Sequence, residues 1–336
     1  MGARRPVSVG VIGLGRSGWD LHVRSLRDDP RYRIAAACDP LEGRRRQARR
    51  ELGCAVYAGH EGLLAHPGLE LAVIASKSND HVPMARGALE RGLHVVLEKP
   101  LASSAREFSK LQALARKRKR LLSPYYNFRF SRDFLLIQSL LKKGLIGKPF
   151  LIKRQVGYFN RREDWQARSD EGGGILNAAT VHSIDQVIHL LQERPRLEWF
   201  DLRKLISKGD APDHSKLLLR FPGGCVADIE VSWAQAFSGP EWLIYGTRGA
   251  LRSLPGVLEA TWHRRRDVLR GRPEDRSYLS GERIHWKSLK IPVERGFSTD
   301  YYGRLWGALR RGRTPPVPSE SALEALRVLD LCRRTR

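Results

Sequence analysis

Long apolar runs and paired cysteines are both absent from this chain of 336 residues. No apolar run approaches the roughly 20 residues that a membrane-spanning helix needs, so the sequence predicts no membrane anchor. The cysteines Cys38, Cys54, Cys225 and Cys332 lie far apart and form no zinc-ligand or disulfide pattern. No signal peptide can be recognised either. We therefore expect a cytoplasmic protein without a metal site.

Acidic residues are also too few to balance the basic ones. Lys and Arg number 60 against 36 Asp and Glu, which gives a formal net charge of +24. Such a balance favours anionic partners, of which nucleic acid is the first to consider. The arginines are scattered along the whole chain, however, and their runs are short. We expect a solvated basic surface, and direct nucleic-acid binding is the less favoured alternative.

The order of predicted strands and helices changes near residue 123. Before that point short apolar strands alternate with helices, which predicts an α/β unit with a parallel sheet. Beyond it several strands follow one another, which predicts a mostly antiparallel sheet with helices on one face. The predicted segments are 1–123, 124–318 and a final helix within 319–336 that packs back on the core. Residues 262–285 are rich in charged and turn-forming residues and are predicted to be a loop.

A glycine motif, GLGRSG, follows the first strand and opens the first helix. This is the context that a dinucleotide-binding turn requires. Gly13 would permit the tight turn, Gly15 the close approach of a pyrophosphate, and Gly18 the packing of helix against strand. The start of the helix at Arg16 and Ser17 would offer N–H groups to the phosphates.

The choice between NAD and NADP depends on the end of the second strand. Asp39 stands there, 21 residues after Gly18, where a carboxylate accepts hydrogen bonds from ribose hydroxyls and repels a 2′-phosphate. This favours NAD. The basic run from Arg44 to Arg46 lies close by and would suit a 2′-phosphate, so NADP remains possible.

Two further segments carry groups suited to proton transfer. Glu98-Lys99-Pro100 follows an apolar strand, and the carboxyl ends of such strands form the ligand crevice of an open α/β sheet. A lysine that is desolvated there beside another cation can lose its proton. A glycine triplet at 172–174 precedes His182, whose side chain titrates near neutral pH.

Together these segments resemble the Gfo/Idh/MocA oxidoreductase family, the group of glucose–fructose oxidoreductase and inositol dehydrogenase. The resemblance extends from Val7 to about Leu331. It is carried by the segments VGVIGLGRSG, AAACDP, HVVLEKPLA, YYNFRFS, GGGIL with VHSID, and LRFPGGCVADIEVSW.

The resemblance implies a Rossmann domain followed by an α+β substrate domain with a large open sheet, through which such proteins form dimers or tetramers. It implies a nicotinamide-dependent oxidoreductase that acts on a hydroxyl of a sugar, cyclitol or sugar derivative. Lys99 and His182 would face the substrate and handle the hydroxyl proton, and Pro100 would follow a cis peptide bond. Besides the glycine motif and Asp39, the expected cofactor contacts are Ser76, Asn79, His81, Glu98 and Lys99.

The sequence departs from the family pattern at several positions. The family's catalytic aspartate stands four residues before the histidine, where this chain has Ala178. Asn177 is an imperfect substitute because it points elsewhere around a helix, and Asp185 is a candidate partner for His182. The missing aspartate motivates an alternative function, that of an NAD(P)-binding sensor or regulator without turnover.

The substrate itself is expected to be a small molecule, with an anionic sugar derivative as the specific hypothesis. The family layout brings the segment at 160–168 to the mouth of the substrate cleft. Its arginines, including Arg168, would supply planar donors for a carboxylate or phosphate, with Arg129 on the opposite side. Trp165 would offer an apolar face on which a sugar ring can stack.

Overall fold

The computed structural model describes residues 5–264, 284–297 and 300–334, which are organised around two sheets. The first sheet is entirely parallel, with the strand order 3-2-1-4-5-6. This order confirms the predicted doubly wound Rossmann sheet. Its strands are β1 (Val7–Ile12), β2 (Tyr32–Cys38), β3 (Ala55–Tyr57), β4 (Leu71–Ile74), β5 (His94–Leu97) and β6 (Leu122–Pro124).

Helices cover both faces of the parallel sheet, which explains why its central strands are apolar throughout. All six residues of β1 and all four of β4 are buried. A π-helical turn at Ser17–Val23 leads directly into the first α-helix. The helices of this part are α1 (Arg24–Arg27), α2 (Glu42–Leu52), α3 (His60–Leu64), α4 (His81–Glu90) and α5 (Ala105–Arg118).

The second sheet has eight strands in the order 14-13-12-11-7-10-9-8. Only β7 and β10 run parallel among its neighbouring strands as described, so the predicted mostly antiparallel sheet is confirmed. The strands are β7 (Pro149–Gly157), β8 (Arg196–Arg203), β9 (His214–Arg220), β10 (Val226–Ser232), β11 (Trp242–Gly246), β12 (Gly249–Leu254), β13 (Val257–Trp262) and β14 (Lys287–Pro292).

Four helices pack around this sheet and join it to the first domain. They are α6 (Arg132–Lys142), α7 (Val181–Leu191), α8 (Asp300–Arg311) and α9 (Ser319–Arg334). The side chains of α7 from Val181 to Ile188 are all buried, and α9 packs against both α5 and α7. Within the described residues, no helix has the length and apolar character needed to cross a membrane.

Several elements were not anticipated from the sequence. Strands β13 and β14 and helices α3 and α8 were missed, and β13 extends to Trp262, where the loop was predicted to begin. Most of the predicted loop at 262–285 lies outside the described residues.

A buried ion pair joins the short 3₁₀ helix Asn127–Phe130 to α7 and α9. The Arg129 guanidinium donates two hydrogen bonds to the Asp185 carboxylate on α7, at 2.8 and 2.6 Å, and a third to Ser321 Oγ on α9, at 2.8 Å. Arg129 is 4% exposed and Asp185 is 1% exposed. This arrangement corrects two expectations, because Arg129 does not face a substrate and Asp185 does not pair with His182.

We predict that Arg129→Met lowers the free energy of unfolding by about 3–5 kcal/mol, because it leaves the Asp185 carboxylate buried without a partner. Urea denaturation measures the effect. The double variant Arg129→Met/Asp185→Leu is the control and should recover part of the loss. An unchanged midpoint for the single variant would show that the ion pair does not hold these elements together.

Candidate active site

The glycine motif forms the turn between β1 and the π-helical turn, and two of its glycines are required by packing. Gly13 has a φ of +88°, and a Cβ there would lie 2.5 Å from the carbonyl oxygen of Ala75. A Cβ on Gly18 would lie 1.8 Å from the carbonyl oxygen of Gly13. Gly15 differs, because a Cβ there would meet only Arg44 Nη1, at 3.7 Å. The space in front of Gly15 therefore suits the close approach of a dinucleotide.

Asp39, immediately after β2, is engaged by its own chain. Its Oδ2 accepts the backbone N–H of Leu14 at 2.8 Å, and its Oδ1 accepts that of Leu41 at 2.9 Å. Arg44 Nη1 lies 3.2 Å from the same Oδ2. The carboxylate is 2% exposed, and its hydrogen bond to Leu14 fixes the glycine turn. In the region expected for the ribose, the Arg44 guanidinium lies beside this carboxylate.

Glu98 follows β5 directly and belongs to a series of buried hydrogen bonds that was not predicted from the sequence. Its Oε2 accepts the backbone N–H of Lys99 at 3.0 Å, and its Oε1 lies 3.2 Å from His22 Nε2. His22 Nδ1 lies 2.6 Å from the Tyr302 hydroxyl. Burial alone would raise the pKa of Glu98, but the hydrogen bonds from His22 and from the Lys99 backbone, together with the charge of Lys99, outweigh it and lower that pKa.

The ionised Glu98 assigns the direction of these hydrogen bonds. A carboxylate only accepts, so His22 Nε2 donates to it and Nδ1 accepts from the Tyr302 hydroxyl. The Glu98 carboxylate is therefore directed towards His22, although Glu98 was expected to lie near the cofactor ribose. The only sequence signal for His22 is its place on the helix that follows Gly18.

Lys99 connects the two domains. Its Nζ donates a hydrogen bond of 2.7 Å to the carbonyl oxygen of Ala178, in the π-helical turn Leu176–Thr180 that precedes α7. The Lys99–Pro100 peptide bond is cis. Burial lowers the pKa of the Lys99 ammonium, although the Glu98 carboxylate opposes the shift. The nearby guanidinium groups of Arg16 and Arg162 lower this pKa further.

His182 lies in an apolar environment on α7. Its ring centroid is 4.4 Å from that of Phe128, and its Nδ1 is buried with no hydrogen-bond partner in the described part of the chain. Burial lowers the pKa of His182 well below its ordinary value, and the positive charges of Lys99 and Arg154 add to the shift. His182 is thus a neutral imidazole at neutral pH.

A narrow cleft of about 50 Å³ separates Lys99 from the segment 165–174, which follows β7. The segment contacts the opposite domain directly, because Lys77 Nζ lies 2.6 Å from Glu171 Oε2 and Asn79 Nδ2 donates to the carbonyl oxygen of Asp170 at 2.8 Å. The cleft is lined by Arg16, Ser17, Ser76, Glu98, Lys99, Trp165, Asn177, Ala178 and the glycine triplet, among others.

Several expected site residues have partners within the chain. Arg168 donates two hydrogen bonds to Asp170 in an exposed pair. His81 is buried between the carbonyl oxygens of Ser76 and Pro100. Asn177 donates to carbonyl oxygens of the glycine triplet and accepts from Arg333, so it does not replace the missing aspartate.

Two family models match this chain. The model of an oxidoreductase family with an NAD-binding Rossmann fold covers residues 7–126. The model of the GFO/IDH/MocA C-terminal domain covers residues 134–252. The chain therefore belongs to the Gfo/Idh/MocA family of oxidoreductases, whose cofactor is a nicotinamide dinucleotide. The glycine motif and the space at Gly15 fit such a cofactor.

Named relatives extend along most of the chain. The uncharacterised oxidoreductase YdgJ of Escherichia coli is 26% identical, over 97% of this chain and 95% of its own. The NADP-dependent scyllo-inositol 2-dehydrogenase IolW of Bacillus subtilis is 26% identical, over 96% and 92%. The 2,7-anhydro-N-acetylneuraminate hydratase of E. coli is 26% identical, over 73% and 67%.

The fold is also similar to that of solved structures. The yvaA oxidoreductase of B. subtilis superposes with a TM-score of 0.84 at 22% identity, over 98% of this chain and 96% of the other. In the part of this chain that the structure describes, no cluster of three or more His, Cys, Asp or Glu side chains can hold a metal ion.

We predict opposite consequences for two glycine substitutions in the same motif. Gly18→Ala should lower the free energy of unfolding by about 1–3 kcal/mol, because its Cβ would overlap the Gly13 carbonyl oxygen. Gly15→Ala should leave the melting temperature unchanged and weaken binding of NAD. Thermal denaturation and calorimetric titration measure the two effects. Undiminished NAD binding by the Gly15 variant would contradict the placement of the cofactor.

Proposed function

We propose that this NAD(P)-dependent oxidoreductase acts on a hydroxyl of a sugar, cyclitol or sugar derivative, with Lys99 as its main proton-transfer residue. The observation that carries the proposal is the position of Lys99. Its ammonium is desolvated in the cleft beside the glycine motif, and its pKa is lowered. The scyllo-inositol dehydrogenase among the relatives supports this class of substrate.

The side chains in the cleft would divide the work as follows. The bound nicotinamide supplies the redox chemistry. Lys99 in its neutral form accepts the hydroxyl proton at Nζ, and the Ala178 carbonyl holds the resulting ammonium in place. The neutral His182 would assist, because its unpartnered Nδ1 can accept a hydrogen bond from a second hydroxyl.

A redox-neutral variant of this chemistry is supported by the closed cleft. The Lys77–Glu171 and Asn79–Asp170 contacts join the two sides of the cleft, so exchange of a bound cofactor would require them to open. A retained cofactor suits a cycle in which the substrate is oxidised and then reduced again. The hydratase among the relatives supports this variant.

Two groups in the cleft still support an anionic substrate. Arg16 lines the cleft and has no hydrogen-bond or ion-pair partner among the described residues. Arg162 lies near enough to influence Lys99, although its guanidinium is hydrogen-bonded to Asp164. Since Arg129 is buried in its pair with Asp185, an arginine clamp on the substrate would depend mainly on these two residues.

The remaining proposals concern cofactor choice, assembly and location. We favour NAD because the Asp39 carboxylate at the glycine turn would repel a 2′-phosphate, while Arg44 beside it leaves NADP possible. The outer face of the eight-stranded sheet exposes Trp199 and Tyr245, which supports a homodimer or tetramer formed through this face. The four free cysteines are all buried and support a cytoplasmic location.

A screen of neutral polyols, uronates and amino sugars with NAD and NADP tests the proposed function. We expect turnover with at least one compound, and tighter binding of NAD than of NADP. Lys99→Met should lower kcat by roughly 10²–10⁴-fold, because it removes the proton acceptor. The dissociation constant for NAD should change by less than about threefold, which corresponds to less than about 1 kcal/mol.

Lys110→Met, at an exposed position of α5, is the matched control and should behave as the wild type. Wild-type turnover by the Lys99 variant would refute the proposed mechanism. Tight cofactor binding without oxidation or reduction of any compound would favour the sensor without turnover.

The environment of Lys99 predicts pH profiles that shift in opposite directions. Oxidation requires the neutral amine, so kcat/KM should rise as the pH rises through the pKa of Lys99. Glu98→Gln removes a charge that raises this pKa and should move the rise to lower pH. Arg162→Gln removes a charge that lowers it and should move the rise to higher pH. If both profiles move in one direction, Lys99 is not the titrating group.

A further inference from the structure

A second and larger cavity lies at one end of the eight-stranded sheet, and the proposed reaction does not use it. Its volume is about 470 Å³, within the range of ligand-binding cavities, whereas that of the cleft at Lys99 is about 50 Å³. It is enclosed by the end of β7, the loop before β11, the turn between β12 and β13, and residues 293–297.

Aromatic rings form part of the cavity wall. Phe128, Tyr158 and Phe297 all line it, and the rings of Phe128 and Phe297 meet edge to face with centroids 5.1 Å apart. Tyr158 is 47% exposed and Phe297 is 39% exposed, so both rings leave apolar surface open to a ligand. The C–H face of a pyranose ring stacks well on such surfaces, because both are flat and apolar.

The polar lining of the cavity includes three carboxylates, besides serine and glutamine side chains that both donate and accept. Glu241 is paired with Arg154 at 3.2 Å, and Glu294 is paired with Arg132. Asp133 lines the same cavity, and in the described ranges its carboxylate has neither an ion-pair nor a hydrogen-bond partner. An ionised carboxylate with free lone pairs is suited to vicinal hydroxyl groups.

The charge of the wall also indicates what the cavity would exclude. Three carboxylates line it, and one of them is unpaired, whereas Arg295 is the only basic residue that the described lining contains. Glu241 and Glu294 are neutralised by their arginine partners, so the like charge that a uronate or phosphate would meet is the unpaired Asp133. A neutral polyhydroxylated ring meets acceptors for its hydroxyls and aromatic faces for its carbons.

Phe128 places this cavity next to the catalytic histidine. The ring that lines the cavity is the same ring that packs 4.4 Å from His182. Its backbone is fixed, because the Phe128 carbonyl accepts hydrogen bonds from Gln186 Nε2 at 2.8 Å and from Ser131 Oγ at 3.0 Å. A ligand in the cavity is therefore separated from His182 by one aromatic side chain.

We propose that this cavity binds a neutral sugar unit, the non-reacting part of an extended substrate such as a glycoside or disaccharide. The reacting ring of that substrate lies beside Lys99 and His182. The link to catalysis rests on the proposed function, whereas binding of the sugar in the cavity does not. Phe128 then determines specificity, because it forms the wall between the two parts of the site.

Binding can be measured without turnover. The probes are cellobiose, maltose and lactose, with glucose and glucuronate for comparison, titrated by saturation-transfer NMR into the protein with and without NAD. At least one neutral disaccharide should bind more tightly than glucose, and glucuronate should not compete with it. Asp133→Asn should weaken disaccharide binding about tenfold, the loss of one charged hydrogen bond. Phe297→Ala should weaken it about fivefold.

Matched controls identify the cavity as the site. Trp199→Ala removes an exposed aromatic ring from β8, and Asp28→Asn removes a surface carboxylate. Neither variant should change disaccharide binding. No binding of any of the three disaccharides, or binding that the two cavity variants leave intact, overturns the proposal.

Disaccharide binding that these variants weaken, without oxidation of any sugar, would refute the proposed dehydrogenase function and leave the cavity proposal standing. Oxidation of free monosaccharides without disaccharide binding would refute the cavity proposal and leave the proposed dehydrogenase function standing. The two proposals can therefore fail independently.

Discussion

Burial of a lysine ammonium between two domains is the constraint on which the candidate site depends. Desolvation penalises a charged group unless nearby polar atoms replace the lost water. For Lys99 that atom is the Ala178 carbonyl oxygen, at 2.7 Å. The contact crosses from the end of a Rossmann strand to the π-helical turn before α7, so the arrangement of the domains and the environment of the Lys99 amine are coupled.

A series of buried hydrogen bonds fixes the backbone of Lys99. Glu98 holds the Lys99 backbone N–H and accepts from His22, and His22 accepts from Tyr302 on α8. The Tyr302 carbonyl accepts a further hydrogen bond from Tyr32 of β2. Removal of one member leaves others buried without a partner, which costs more than the hydrogen bond contributes. These hydrogen bonds therefore position the backbone at Lys99.

The fold was more accessible from the sequence than the pairing of side chains. Parallel strands buried on both faces appear as short apolar runs, and the GLGRSG turn is recognisable because packing forbids a side chain at Gly13 and Gly18. Strand β13 was missed because it leads directly into the charged stretch after Trp262. Strand β14 was missed because it follows that stretch and has only Leu289 and Ile291 as large apolar side chains. Pairs such as Arg129–Asp185 connect residues 56 positions apart, and neither composition nor spacing indicates which of many arginines meets which carboxylate.

The substitution at Ala178 is better understood as a change in the electrostatics of Lys99 than as a loss of function. An aspartate side chain at this position would place a second carboxylate near Lys99, and a nearby negative charge raises the pKa of an ammonium. With alanine the contact is made by a neutral carbonyl oxygen, and the remaining charges are Glu98 against Arg16 and Arg162. The pKa of Lys99 is therefore lower than it would be beside an aspartate. In the proposed reaction only the neutral amine accepts a proton, so the residue that departs from the family pattern would favour the form of Lys99 that oxidation of a hydroxyl requires.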